Sequence, residues 1–243
     1  MKISATLRCI GLAFLWFILL QISVVCFQNA NITIMSVLIM GLIALYINRK
    51  TGYINFAPGK NIRLQIILSV LTGIGLSFFN AVSMVQLILN GRWETAEVVN
   101  DNILFLSILS ILGAIAEEIF FRGILQNICR PHFGAGLAII IPVAIFMVFH
   151  LAPERMLHTF VGGLLFGYFY YYTGNIYTCI IMHVMTNFMW ATFLNSYLLG
   201  FICLKTGILA AAGAMAVIGL LMVICLKIIF DRRIGKRQNM CKK

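Results

Sequence analysis

Three short stretches hold most of the ionisable side chains that lie inside apolar sequence. They read "EEIFFR" (Glu117 to Arg122), "FMVFH" (Phe146 to His150) and "HVMTN" (His183 to Asn187). Carboxylates, imidazoles, a guanidinium and a carboxamide are parts from which a protein can bind a metal, relay a proton or activate a water. A purely structural reading competes with each. A lone histidine in an apolar helix is more often a hydrogen-bonded core residue than a catalyst. A glutamate with an arginine four residues later is more often a self-satisfying ion pair.

Helical spacing separates the two glutamates. Glu118 and Arg122 are four residues apart and share a face, about 40° apart around the axis. Glu117 points about 100° away from Glu118, and so away from that pair. The ion pair therefore accounts for Glu118 and Arg122 and leaves Glu117 in need of a polar neighbour from another element. An unpaired charge in an apolar interior is too costly to stand alone.

The elements that must position these groups are membrane spans. Of 243 residues, 62% are hydrophobic and 10% charged, whereas a soluble domain carries about 25% charged residues. Breaks at polar and Gly/Pro clusters leave eight candidate spans, roughly 9–27, 32–48, 63–89, 102–127, 135–152, 156–173, 176–196 and 207–230. The expected fold is all-α, a polytopic transmembrane helical bundle. The first run is long for a signal peptide and lacks a small-x-small cleavage site, so it reads as a permanent span.

A net charge of +11 raises the question of nucleic acid, but the basic residues form no patch with interleaved aromatics. They set topology instead. With the N-terminus cytoplasmic, Lys2, Arg8, Arg49, Lys50, Lys60, Arg63, Arg130 and the C-terminal cluster from Arg232 to Lys243 all fall on the cytoplasmic side. Glu94, Glu97, Asp101 and Glu154 fall on the other. Both termini are thus expected in the cytoplasm. The chain divides into three N-terminal spans with a linker (1–101), a core of motif-bearing spans (102–196), and a last span with a basic tail (197–243). The linker 90–101 is expected to form a short interfacial helix.

Smaller features have modest readings. The seven cysteines show no metal-ligand pairing and read as small core residues. Gly163 and Gly167 form a GxxxG, which implies close helix packing. The run "YFYYY" (Tyr168 to Tyr172) reads as an interfacial aromatic belt, although it or Phe120 and Phe121 could line a groove for a lipid tail. His132 and His158 sit near span ends and read as interfacial.

Depth draws the reactive residues together. At about 1.5 Å per residue, Glu117 lies roughly 20 Å from the break at Arg130. His150 lies roughly 22 Å into its span, Asn187 roughly 18 Å into its own, and His183 one turn lower on the same face. Similar depth on three helices is hard to explain as a set of independent core groups.

With those motifs the chain resembles the CAAX protease and bacteriocin-processing family, whose members carry EExxxR, FxxxH and HxxxN/D on separate spans. The resemblance covers roughly residues 102–195. It implies an eight-helix intramembrane endopeptidase in which Glu117 with His150 activates a water. His183 and Asn187 would stabilise the oxyanion, and Glu118 with Arg122 would hold the first motif in place. It also implies a peptide or membrane-protein substrate within the lipid bilayer. The expected cofactor set is empty, with a divalent metal held by Glu117, His150 and His183 as the open alternative. Short loops favour a multi-pass protein of a bacterial plasma membrane. Two other classes stay open: a non-catalytic bacteriocin immunity or scaffold protein of the same fold, and a proton-coupled transporter with breaks at Pro142 and the Gly162–Gly167 cluster.

Overall fold

The computed structural model describes residues 30–57, 61–90, 103–149, 153–190 and 205–235, with a few positions between 8 and 18. Nearly all of the expected first span and linker, the tail beyond 235, and His150 lie outside the described residues. The described residues are helical and contain no strand. The helices are α1 (Ala30–Thr51), α2 (Ile62–Phe79), α3 (Ala81–Leu89), α4 (Ile103–Glu118), α5 (Ala135–Phe149), α6 (Pro153–Thr173), α7 (Ile176–Met189) and α8 (Lys205–Phe230). Two stretches, Ile62–Ser83 and Leu209–Ile234, are long and apolar enough to cross a membrane.

Two expected spans are not straight α-helices. The run 63–89 divides at Asn80 into α2 and α3. There the Asn80 side chain takes a hydrogen bond from the Ser83 hydroxyl at 3.0 Å, a local alternative to helical pairing. On the neighbouring α8, a Cβ at Gly219 would lie 2.2 Å from the Phe79 amide nitrogen. The second exception follows α4, which passes into a π-helical segment, Ile119–Gln126, and then a short turn, Asn127–Cys129. Wide turns of this kind are rare and often mark functional sites. By contrast, α5 runs unbroken through Pro142.

Burial differs from that of a water-soluble protein, because polar groups join an apolar core while large apolar side chains also cover the exterior. Glu118, Arg122, Gln126, Asn175 and His183 are buried. Large apolar side chains face outward, among them Leu42, Tyr46, Val217 and Leu221. Lipid is the solvent in which that distribution is favourable, because buried polar groups pair internally and the apolar exterior meets hydrocarbon.

Several contacts gather helix ends at one end of the bundle. Asn127 donates to the Tyr53 carbonyl at 2.9 Å, and the Arg130 guanidinium lies 4.9 Å from the Tyr171 ring centre. Asn175 donates to Gln65 at 2.8 Å, and Tyr168 donates to Asp231 at 2.6 Å. Arg49, Lys50, Arg63, Arg130, Arg232 and Arg233 sit on the segments these contacts tie together.

The aromatic run departs from the belt expected of it. Phe169 is wholly buried and stacks on Phe230 with ring centres 3.9 Å apart. Tyr170 is buried as well, accepting a hydrogen bond from Asn127. The run packs because α6 is covered by α8 on that side, so only Tyr168, Tyr171 and Tyr172 keep a partly open position. Phe120 and Phe121 are also fully buried and line no open groove.

Candidate active site

The corner between α6 and α7 sets the position of His183. Gly174 ends α6 in the left-handed region, at φ 65°, where a residue without Cβ is least strained. Asn175 then caps α7, its side-chain oxygen accepting the Tyr177 N–H at 3.1 Å. Along α7, Gly73 of α2 makes a close crossing, since a Cβ there would lie 2.6 Å from the Met182 carbonyl oxygen. The Thr186 hydroxyl, one turn from Met182, sits 3.3 Å from the Gly73 carbonyl. His183 is thereby delivered inward at the level of α4's last turn.

One carboxylate oxygen organises the site. Glu118 Oε1 accepts from Arg122 Nη1 at 2.8 Å and lies 2.8 Å from His183 Nδ1. The other ring nitrogen, His183 Nε2, lies 3.7 Å from Glu117 Oε2. Glu118 is fully buried, whereas 22% of the Glu117 side chain is exposed. A neutral His183 that donates from Nδ1 to Glu118 turns the lone pair of Nε2 toward Glu117. Protonated, the ring presents a donor to each carboxylate.

Aromatic rings fix the imidazole and the guanidinium. Phe166 stacks on the His183 ring with centres 5.0 Å apart, and Phe146 meets it edge-on at 6.0 Å. The Arg122 guanidinium carbon lies 4.8 Å from the Phe146 ring centre and 5.3 Å from that of Phe166, a favourable cation–π placement. Arg122 Nη2 also donates to the Gly163 carbonyl at 3.3 Å. Glycine at 163 leaves room for that contact, because a Cβ there would lie 3.3 Å from Nη2 and 3.1 Å from Val143.

The structure thus brings together Glu117, Glu118, Arg122, His183 and the phenylalanine of the second motif, Phe146. Asn187 sits one turn past His183 on α7 and is partly buried. No group of three His, Cys, Asp or Glu side chains gathers for a metal among the described residues, and the second motif's His150 lies outside them.

Sequence spacing pairs Glu118 with Arg122 alone and does not show that His183 shares the same oxygen. That link depends on how α7 crosses α4, which periodicity cannot report. Also missed were Gln126, whose amide donates to the Gly167 carbonyl at 2.8 Å, and Asn127, which bridges Tyr53, Gly123 and Tyr170. The signal was present, since both carboxamides close an otherwise apolar run.

A helical bundle with a lipid-suited exterior and a buried carboxylate–imidazole–guanidinium cluster fits the class of membrane-embedded helical proteins. Residues 99–189 match the family described as type II CAAX prenyl endopeptidase Rce1-like. That segment contains all three motifs and is what the chain shares with this family, whose members are embedded in membranes. Comparison with curated proteins and with solved structures gives no significant match.

Proposed function

We propose that the chain is an intramembrane endopeptidase that hydrolyses a peptide bond of a membrane-associated peptide or protein. The observation that carries the reading is His183, held between two carboxylates of different exposure in an aromatic pocket.

In this reading Glu117, the more accessible carboxylate, acts with His150 to take a proton from water as the water oxygen attacks the carbonyl carbon. His183 carries protons on both ring nitrogens, with Nδ1 toward Glu118 and Nε2 toward the forming oxyanion, and the Asn187 amide donates beside it. Fixed donors of this kind contribute about 10²–10³ in rate each. Collapse of the tetrahedral intermediate breaks the C–N bond, and the proton held by Glu117 passes to the leaving amine. Glu118 and Arg122 stay bonded throughout and hold His183 in place. The water is activated directly, without an obligatory metal. Residues 102–196 form the catalytic core, between N-terminal spans with their linker (1–101) and a last span with a basic tail (197–243). The chain is a multi-pass protein of a bacterial plasma membrane, and the basic end of the bundle faces the cytoplasm with both termini.

The test is cleavage of candidate membrane peptides by purified protein in lipid, with and without chelator. Glu117→Ala, His150→Ala and His183→Ala are each expected to abolish cleavage while the protein inserts normally. Full activity of Glu117→Ala would overturn the reading. Resistance or partner binding that survives all three substitutions would instead favour a non-catalytic immunity protein of the same fold. Loss of wild-type activity with chelator would overturn the metal-free mechanism.

A further inference from the structure

The π-helical segment carries a buried carboxamide that the mechanism does not use. Gln126 lies one turn past Arg122, is 1% exposed, and donates to the Gly167 carbonyl at 2.8 Å. The parallel is close, because Arg122 donates to the Gly163 carbonyl, one turn earlier on the same face of α6. The two glycines leave room for these bonds. A Cβ at Gly167 would lie 3.2 Å from Gln126 Oε1 and 3.0 Å from Ile139. The π segment is therefore stitched to α6 by two side-chain-to-backbone bonds.

As a stabilising device Gln126 is a poor choice. Its Oε1 is buried without a hydrogen-bond partner, and a half-satisfied buried amide costs more than an apolar residue of the same shape. A residue that gives up stability in a protein interior while fixing a rare helical register is better explained by what the register positions. The π turns place Arg122 so that it reaches Glu118 and the Gly163 carbonyl together. Relaxation of the segment to an ordinary α-helix would keep the four-residue spacing from Glu118 but turn Arg122 relative to α6 and its Gly163 carbonyl. The guanidinium would then loosen on the Glu118 oxygen that meets His183.

We propose that Gln126 is a positioning residue for the reaction: its bond to Gly167 locks the π register that holds Arg122 between Glu118 and the Gly163 carbonyl, and thereby fixes the His183 ring. The proposal rests on the endopeptidase reading for its kinetic consequence but not for its structural one. Gln126→Met keeps the length and removes the donor. Gln126→Asn falls one methylene short of the Gly167 carbonyl and breaks the bond by a second route.

The experiment compares wild type with both variants in lipid by steady-state cleavage, thermal unfolding and the ring-nitrogen NMR of histidine-labelled protein, a label confined to four residues. The expected result is a fall in kcat on the order of 10- to 100-fold with KM unchanged. The His183 ring resonances should shift, and the melting temperature of Gln126→Met should not fall. Unchanged kcat together with unchanged His183 resonances would overturn the proposal. So would a loss of activity that merely tracks a lowered melting temperature. If the resonances shift in the variants but the wild-type protein cleaves nothing, the positioning role stands and the endopeptidase reading fails.

Discussion

The π-helical segment Ile119–Gln126 and helix α8 are both strongly apolar stretches, yet they sit in the molecule in opposite ways. Every residue of the π segment is buried, including Arg122 and Gln126. Helix α8 instead turns much of its apolar surface outward, with Val217 and Leu221 each 57% exposed. In water the more apolar helix would occupy the core. In lipid the interior goes to the element with polar side chains to satisfy, because hydrocarbon solvates leucine as well as a neighbouring helix does. Polar demand thus decides which apolar element is central.

The first way to break that comparison is to remove the polar demand. Arg122→Met leaves Glu118 buried without its cation and takes one of two contacts from the oxygen that meets His183. Breaking a buried ion pair by removing one partner costs about 3–5 kcal/mol, so equilibrium unfolding in mild detergent should show a loss of that order. The double substitution Glu118→Gln with Arg122→Met should recover much of the stability but none of the activity. If Arg122→Met unfolds like wild type, the pair is not a structural anchor.

A smaller effect is expected where the π segment meets the loop after α1. A Cβ at Gly123 would lie 2.3 Å from Ile54 Cδ1, so Gly123→Ala overpacks a closed site. Such insertions cost about 1–3 kcal/mol. Trimming the opposing side chain should reverse the loss, and Gly123→Ala with Ile54→Ala should be more stable than Gly123→Ala alone. A double-mutant cycle on melting curves measures that coupling. Additive losses would mean that the loop does not brace the segment. Ile54 lies outside the 99–189 match, so strong coupling would also show that the N-terminal region helps to build the site.

Weaker still is the polar seam between α2 and α7. The Ser77 hydroxyl lies 3.0 Å from the Thr186 carbonyl and 2.9 Å from the Gly73 carbonyl of its own helix. Side-chain hydrogen bonds between membrane helices average about 0.6 kcal/mol. Ser77→Ala should therefore lower unfolding free energy by about that amount, and a loss several times larger would mark the seam as a main support of His183.

How much of this was legible in the sequence follows from the same physics. The i,i+4 pairing of Glu118 with Arg122 was readable because a local helical repeat fixes it and the π turns do not break it. The need of Glu117 for a neighbour on another helix was readable from its angle to that pair. The sharing of Glu118 Oε1 by Arg122 and His183 was not, because it depends on a crossing that the glycine at 73 permits. The tyrosine run shows the limit most plainly. Tyrosines near a span end suit an interface, but the cover supplied by Phe230 and Asn127, 61 and 43 residues from the atoms they meet, leaves no periodic trace. Nor does any residue type announce a π turn. The two carboxamides at its end were the nearest available signal.

The smallest predicted effect tests the other half of the comparison. Val217→Ala on the outward face of α8 removes two methyl groups from a side chain that is 57% exposed. If lipid covers that face in both the folded state and the membrane-inserted unfolded state, the change in unfolding free energy should stay within about 0.5 kcal/mol, as for a surface position. A core-like loss of about 2 kcal/mol or more would require protein rather than lipid against Val217. The covering element would then have to come from residues beyond those described or from a second copy of the chain. Covering α8 in that way would remove the contrast with the π segment, since both would be interior and polar demand would no longer be what distinguishes them.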